Sequence, residues 1–285
     1  MQNILITGSK GQLGSELQAA SEENADFRYF FTDVDELDIT DKKCIEKFIV
    51  ENKIDFIVNC AAYTAVDRAE DDEKTAYLIN SDAVKNIGET AAKHNVKVIH
   101  VSTDYVFDGT NHTPYSEYMP VSPTSIYGKS KLAGEESLIE ICPAAVIIRT
   151  SWLYSTFGNN FVKTMIKLGN ERDSLNVIFD QVGTPTYAAD LAKAIMQIIN
   201  FENWIAGIYH FSNEGVCSWY DFTKSIHRTA KIACKVNPIE TKDYPVRTPR
   251  PFYSVLNKAK IKSTYAIEIS HWEESLERCI AILQQ

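Results

Sequence analysis

Apolar residues in the first half of the chain fall into short runs separated by amphipathic stretches. The runs at residues 3–7, 27–32, 56–60, 97–102 and 145–149 are almost continuously apolar, as strands buried on both faces of a sheet must be. Between them, residues 42–52 carry Ile45, Phe48 and Ile49 at helical spacing, and residues 75–94 carry a stripe of Ala76, Ile79, Ala83, Ile87 and Ala91. Residues 15–20 and 127–138 complete the helical set. Strand and helix in strict alternation predict an α/β fold, a Rossmann-type doubly wound parallel sheet whose ligand edge lies at the carboxyl ends of its strands.

After Ser151 the alternation weakens. Residues 160–168, 187–199, 219–230 and 271–283 read as helices and 175–179 as a strand, while 208–211 has the character of a strand returning to the sheet.

Composition narrows the class. The chain has 285 residues, 45% apolar and 24% charged, which suits a globular protein with one large core or two unequal ones. Lys and Arg total 29 against 38 Asp and Glu, and the net charge of -9 repels a phosphate backbone, so no nucleic-acid partner is expected. No apolar run reaches the length of a membrane span and no basic flank precedes residues 3–7, so the expectation is a cytoplasmic protein with no membrane partner. Six cysteines lie scattered with no C-x-x-C pair, which signals neither a zinc site nor a disulfide framework. The acidic run at residues 70–73 opens a helix, where the macrodipole accounts for it better than a metal does.

The first apolar run ends in Gly8-Ser-Lys-Gly11-Gln-Leu-Gly14 and a helix follows, the order a nucleotide-binding crossover requires. Glycines let the backbone approach a pyrophosphate, and the helix N-terminus offers free N–H groups to the anion. Asp33 follows the second run, about twenty residues beyond the loop, where a carboxylate can bond adenosine ribose hydroxyls and favour NADH. Lys10 can instead attract a 2'-phosphate, so NADPH stays open. The fourth run delivers Ser102 and Thr103 to the same edge. Tyr127 and Lys131 stand four apart on one helix, so the cation can stabilise a phenolate, and the crossover brings them to that edge too. A hydroxyl, a phenol beside a cation and a dinucleotide make a site for hydride transfer.

These features resemble the extended short-chain dehydrogenase/reductase superfamily, with residues 7–14 as its cofactor loop and Tyr127-Gly-Lys-Ser-Lys131 as its catalytic pair. Within it, Leu37-Asp-Ile-Thr40, Cys60-Ala-Ala-Tyr-Thr-Ala-Val-Asp67, Ser102-Thr-Asp-Tyr-Val-Phe-Asp-Gly109 and Arg149-Thr-Ser-Trp-Leu-Tyr154 are similar to motifs of the dTDP-4-dehydrorhamnose reductases. So are Gly158-Asn-Asn-Phe-Val-Lys-Thr-Met165, Asp180-Gln-Val-Gly-Thr-Pro-Thr186, Cys217-Ser-Trp-Tyr-Asp-Phe222 and Arg250-Pro-Phe-Tyr-Ser254, so the resemblance spans nearly the whole chain.

The resemblance implies reduction of the C4 ketone of dTDP-4-dehydro-L-rhamnose by NADPH or NADH. Tyr127 would protonate the oxygen, Lys131 would hold the nicotinamide ribose and lower the tyrosine pKa, and Thr103 would bond the substrate oxygen. Asp104 and Trp152 would contact the sugar. Gly8, Gly11, Gln12, Leu13 and Gly14 would line the pyrophosphate, Asp33 the adenosine ribose, Asp38 and Ile39 the adenine, and Ala62, Tyr63 and Thr64 the length of the cofactor. Tyr63 stands where some relatives carry histidine. Arg250, in the rigid stretch 244–251, reads either as an anion-binding guanidinium or as a structural arginine.

It also implies a smaller C-terminal α/β substrate domain, from about 151–186 plus 212–285, beside an NAD(P)-binding domain of 1–150 plus about 187–211. Some members of the family dimerise through Mg2+ held by glutamates. Glu16 matches one such position and Ala189 occupies another, so the expectation is no metal and a monomer or weak homodimer. Two alternatives remain open at this level: a sister reductase with a different sugar product, and a non-catalytic dinucleotide-binding subunit.

Overall fold

The computed structural model describes residues 1–22, 24–245 and 247–285. Its first half alternates as the apolar pattern requires: β1 (Gln2–Thr7), α1 (Gln12–Ser21), β2 (Phe27–Thr32), α2 (Lys42–Asn52) and β3 (Phe56–Asn59). The short α3 (Val66–Ala69) precedes α4 (Glu73–Tyr77), a π-helical turn at Leu78–Asp82 and α5 (Ala83–His94). Then come β4 (Lys97–Thr103), α6 (Ile126–Ile141) and β5 (Val146–Thr150).

One residue of phase separates the two faces of the sheet. Ile4 and Ile6 of β1 join Val58, Ile99 and Ile148 on the face covered by Leu17 of α1 and by Leu191, Ile195 and Ile199 of the later helix α8 (Ala188–Asn200). Leu5, Ile57, Val98 and Ile147 point the other way, onto Ile45 and Ile49 of α2, Val84 and Ile87 of α5 and Leu138 of α6. All these side chains are buried, and each full burial of an Ile or Leu contributes about 1.5–3 kcal/mol.

The strand order places the ligand edge. The six strands are all parallel in the spatial order β10, β5, β4, β3, β1, β2, where β10 (Gly207–His210) is the returning strand expected at 208–211. The chain turns outward from β1 to β2 and then resumes on the other side of β1, so a crevice opens beyond the carboxyl ends of β1 and β3.

A further core lies in the second half of the chain. It joins Tyr154 of β6 (Leu153–Tyr154), Val162 and Met165 of α7 (Phe161–Glu171), and Leu175 of β7 (Ser174–Ile178). Two short strands, β8 (Val182–Gly183) and β9 (Thr186–Tyr187), lead back to α8. After β11 (Cys217–Ser218), α9 (Trp219–Ala230) adds Phe222 and Ile226 to this core. β12 (Lys235–Ile239) pairs in parallel with β7, and α10 (Ala259–Tyr265) and α11 (Trp272–Leu283) close the chain. Ile261 and Tyr265 of α10 return to the first core.

Three features depart from the sequence reading. The helix expected at 75–94 opens earlier, at Glu73, and is interrupted by the π turn. β12 escaped notice because Pro238 sits inside it, a residue that donates no ladder hydrogen bond and is confined to edge positions. α10 is only 7 residues long, too short for a periodic stripe. Val246, within the stretch 244–251, lies outside the described residues.

Candidate active site

A cavity of about 640 Å3 follows the crevice from the glycine loop to the start of α6. Its floor is the loop between β1 and α1. Gly8 has φ +63, and a Cβ there would stand 2.7 Å from the backbone nitrogen of Ala61. A Cβ at Gly14 would meet the Gly8 carbonyl oxygen at 2.4 Å, so only glycine lets α1 start this close to the loop. Gly11 caps α1 with no side-chain hydrogen bond and the first turn carries no acid, which leaves its N–H groups to an anion. Gln12 and Leu13 line the cavity at that turn.

At the far end of the loop, Asp33 lines the cavity and accepts from the backbone N–H of Lys10 at 3.1 Å and of Val34 at 2.9 Å. The Lys10 ammonium is engaged elsewhere, 3.1 Å from Asp35 and 3.1 Å from Glu36 on the surface. Asp38 accepts from the Thr40 N–H and hydroxyl and, with Ile39, forms the wall beyond. Ala62 and Thr64 line the next stretch. The loop, the acid and the uncapped helix together fit a dinucleotide.

The reacting end is built from β4 and α6. Thr103 ends β4, and its hydroxyl donates to Asp104 Oδ1 at 3.1 Å. Asp104 is buried, and burial pushes its carboxyl up to about 6, against the hydrogen bond it receives from Thr103. Among the described residues its Oδ2 has no partner. The Ser125 hydroxyl caps α6 by accepting from the Gly128 N–H, so Tyr127 lies in the first turn, at the mouth of the crevice. Further along α6, Glu135 accepts from Arg149 of β5 through both carboxylate oxygens, a buried pair that pins the helix to the sheet.

Burial sets the charges of the pair. It raises Tyr127 to about 12, which hydrogen bonding with Thr103 opposes and the Asp104 charge reinforces. It lowers Lys131 to about 8, opposed by the charges of Glu135 and Cys60. The expected lowering of the phenol by Lys131 is therefore not met in the free protein: desolvation governs, and Tyr127 stays protonated at neutral pH, as a proton donor must. Lys131 Nζ donates to the Val101 carbonyl at 2.7 Å and faces the cavity.

Trp152 lines the cavity from the other side, in the left-handed region at φ 48. One of its faces lies flat on Trp219 of α9, with ring centroids 3.5 Å apart and planes 9° apart, and the Gly183 backbone closes in on the indole. A bulky residue at positive φ is held there by its surroundings, here by that stack. The sequence reading placed Trp219 in the Cys217–Phe222 motif and at a helix start but not against Trp152, since the stack joins residues 67 positions apart.

Two expected residues lie outside the cavity lining. Tyr63 is turned away: its N–H donates to Asn80 Oδ1, its carbonyl accepts from Asn80 Nδ2, and its ring packs with Ala69, Ala76 and Tyr127. Arg250 donates to Asp67 at 2.7 Å and to the Thr248 carbonyl at 3.2 Å, so its charge is already paired. Glu16, at the matched magnesium position, is buried and accepts from the Ser155 hydroxyl at 2.6 Å. Asn80 was missed altogether. It sits in the π turn, binds both backbone polar groups of Tyr63 and donates to Ser130 Oγ, and an asparagine beside Ile79 in the apolar stripe was the available signal.

The family model described as RmlD substrate binding domain matches residues 1–285. The chain belongs to this family. The dTDP-4-dehydrorhamnose reductase of Aggregatibacter actinomycetemcomitans is 42% identical over 97% of this chain and 98% of that one. The crystal structure of a dTDP-4-dehydrorhamnose reductase from Clostridium acetobutylicum superposes with a TM-score of 0.95 at 42% identity and full coverage of both chains. That from Bacillus anthracis, in complex with NADP, gives a TM-score of 0.94 at 39% identity over 99% of this chain and 100% of that one. Membership in the dTDP-4-dehydrorhamnose reductase family thus agrees with the doubly wound sheet described above.

Proposed function

We propose that this protein reduces the C4 ketone of dTDP-4-dehydro-β-L-rhamnose to dTDP-β-L-rhamnose, with NADPH or NADH as the reductant. The observation that carries the reading is the meeting of a dinucleotide cradle with Thr103, Tyr127 and Lys131 in one cavity. The family and its reductase relatives supply the substrate class.

Bound in the cradle, the reduced nicotinamide supplies the hydride. The chain's own residues do the rest. Thr103 and Tyr127 present hydroxyls to the ketone oxygen, and Tyr127 gives it a proton so that no oxyanion accumulates. Lys131 holds the nicotinamide ribose. Asp104 Oδ2, buried without a partner, accepts from a sugar hydroxyl, and the exposed part of the Trp152 indole lies along the sugar ring. Residues 1–150 with about 187–211 bind the cofactor, joined by α10, which packs in the first core, and about 151–186 with the rest of 212–285 bind the sugar nucleotide. The paired Arg250 supports its structural reading, and the buried Glu16 gives no support to a bound magnesium.

The test is to incubate the purified protein with dTDP-4-dehydro-L-rhamnose and either cofactor, follow nicotinamide absorbance and identify the product. Turnover to dTDP-L-rhamnose is expected. Oxidation of neither cofactor contradicts the reading.

A further inference from the structure

Beneath Lys131 lies a buried chain of polar side chains that the proposed chemistry leaves unused. Lys131 Nζ faces His100 Nε2 at 3.4 Å, His100 Nδ1 lies 3.0 Å from Asn59 Nδ2, and the Thr7 hydroxyl donates to Asn59 Oδ1 at 2.7 Å. The four residues come from α6, β4, β3 and β1, so the chain runs under the cavity across three neighbouring strands. His100 and Asn59 are 0% and 1% exposed, and both ring nitrogens of His100 are engaged.

We infer that His100 is a positioning residue for the reduction, holding the Lys131 ammonium against the cavity by accepting from it at Nε2. The inference rests on the reductase reading above. An ammonium needs a lone pair on Nε2, which puts the ring proton on Nδ1 and requires the Asn59 amide to offer its oxygen there. The two ends of a carboxamide occupy the same space, and the Thr7 hydroxyl can donate or accept. The chain can thus run toward Lys131 or away from it with no hydrogen bond lost. When Lys131 is charged, it runs toward Thr7; when Lys131 is neutral, Nε2–H donates to the amine and the direction shown by the Asn59 amide here applies.

Without this acceptor, the buried ammonium keeps only the Val101 carbonyl and whatever the cavity holds. The other titratable groups that act on it are Cys60, just past β3, and Glu135 on α6, the latter already paired to Arg149. Neither replaces the imidazole beneath Nζ. Burial holds His100 neutral, since its pKa is lowered well below the usual value, so it serves as an acceptor across the working pH range.

The experiment is the pH dependence of kcat with dTDP-4-dehydro-L-rhamnose and NADPH for the wild type, His100→Leu and His100→Gln, with melting curves for each. Loss of the acceptor disfavours the charged lysine, so in His100→Leu the basic limb should move down by about one pH unit and kcat at pH 8 should fall about fivefold. KM for the sugar nucleotide should change less than about twofold. His100→Gln, whose amide oxygen reaches the Nε2 position, should recover most of both losses. If His100→Leu does not fold, Thr7→Val severs the chain at its far end and should move the limb the same way by less. A basic limb that stays put in a folded variant, or a glutamine no better than leucine, overturns the inference while leaving wild-type turnover intact. Absence of wild-type turnover overturns the reductase reading and this inference together.

Discussion

Burial drives Tyr127 up to about 12 and Lys131 down to about 8, so the proposed acid stays protonated while its cation is held near the point of losing its charge. Asp104, raised to about 6, accepts from the sugar most strongly when ionised. Its carboxylate is lost as pH falls through about 6, and the Lys131 ammonium is lost as pH rises through about 8. The free enzyme's kcat/KM should therefore fall on both sides of that window, and a flat profile from pH 5 to 9 would argue against both roles. Tyr127→Phe keeps the ring and its packing but removes the proton. We expect kcat to drop about 10²–10⁴-fold with the NADPH Kd within about twofold, measured by stopped-flow kinetics and fluorescence titration. Tyr127, Lys131 and Thr103 were legible in the sequence because their types and spacing carry chemistry directly. Asn80, the Trp219 stack and the link from Lys131 through His100 to Asn59 were not, since each acts through contacts between distant segments that no local pattern encodes.

At the scale of elements, the π turn is the feature that the helical period concealed. It lets Asn80 reach across to the Tyr63 peptide on one side and to Ser130 of α6 on the other, joining the loop after β3 to the helix that carries Tyr127. Asn80→Ala leaves a peptide N–H and C=O without partners. It should lower stability by about 1–3 kcal/mol in urea unfolding and reduce kcat more than it raises the cofactor Kd. Wild-type stability would show that water or another side chain satisfies that peptide. The first five strands and their four crossovers were readable because β1, β3, β4 and β5 are buried on both faces and so must be almost wholly apolar. β12 was not, because an edge strand tolerates Pro238 and exposes much of its length.

Across the whole molecule, the cavity's walls come from both halves of the chain, and a few polar links tie those halves together. Ser155 donates to Glu16 of α1, and Arg250 reaches Asp67. The sequence left Arg250 between anion binding and structure; the pairing favours structure. Asp67→Asn and Arg250→Ala should then raise KM for the sugar nucleotide by similar factors, about twofold to fivefold, with the double variant little worse than either. Were Arg250 the anion's own ligand, Asp67→Asn would free it and leave KM unchanged or lower. The parallel sheet and its ligand edge could be deduced from alternation alone, whereas the core of the second half is assembled from pieces with no common period. The claim on which everything converges is that hydride reaches the sugar at C4 while Tyr127 protonates its oxygen. The most direct measurement is to supply deuterated NADPH, labelled at the transferred position, with dTDP-4-dehydro-L-rhamnose and locate the label in the product by NMR. One deuterium at C4 of dTDP-L-rhamnose is the expected result; a product with the label elsewhere, or with none, would contradict it.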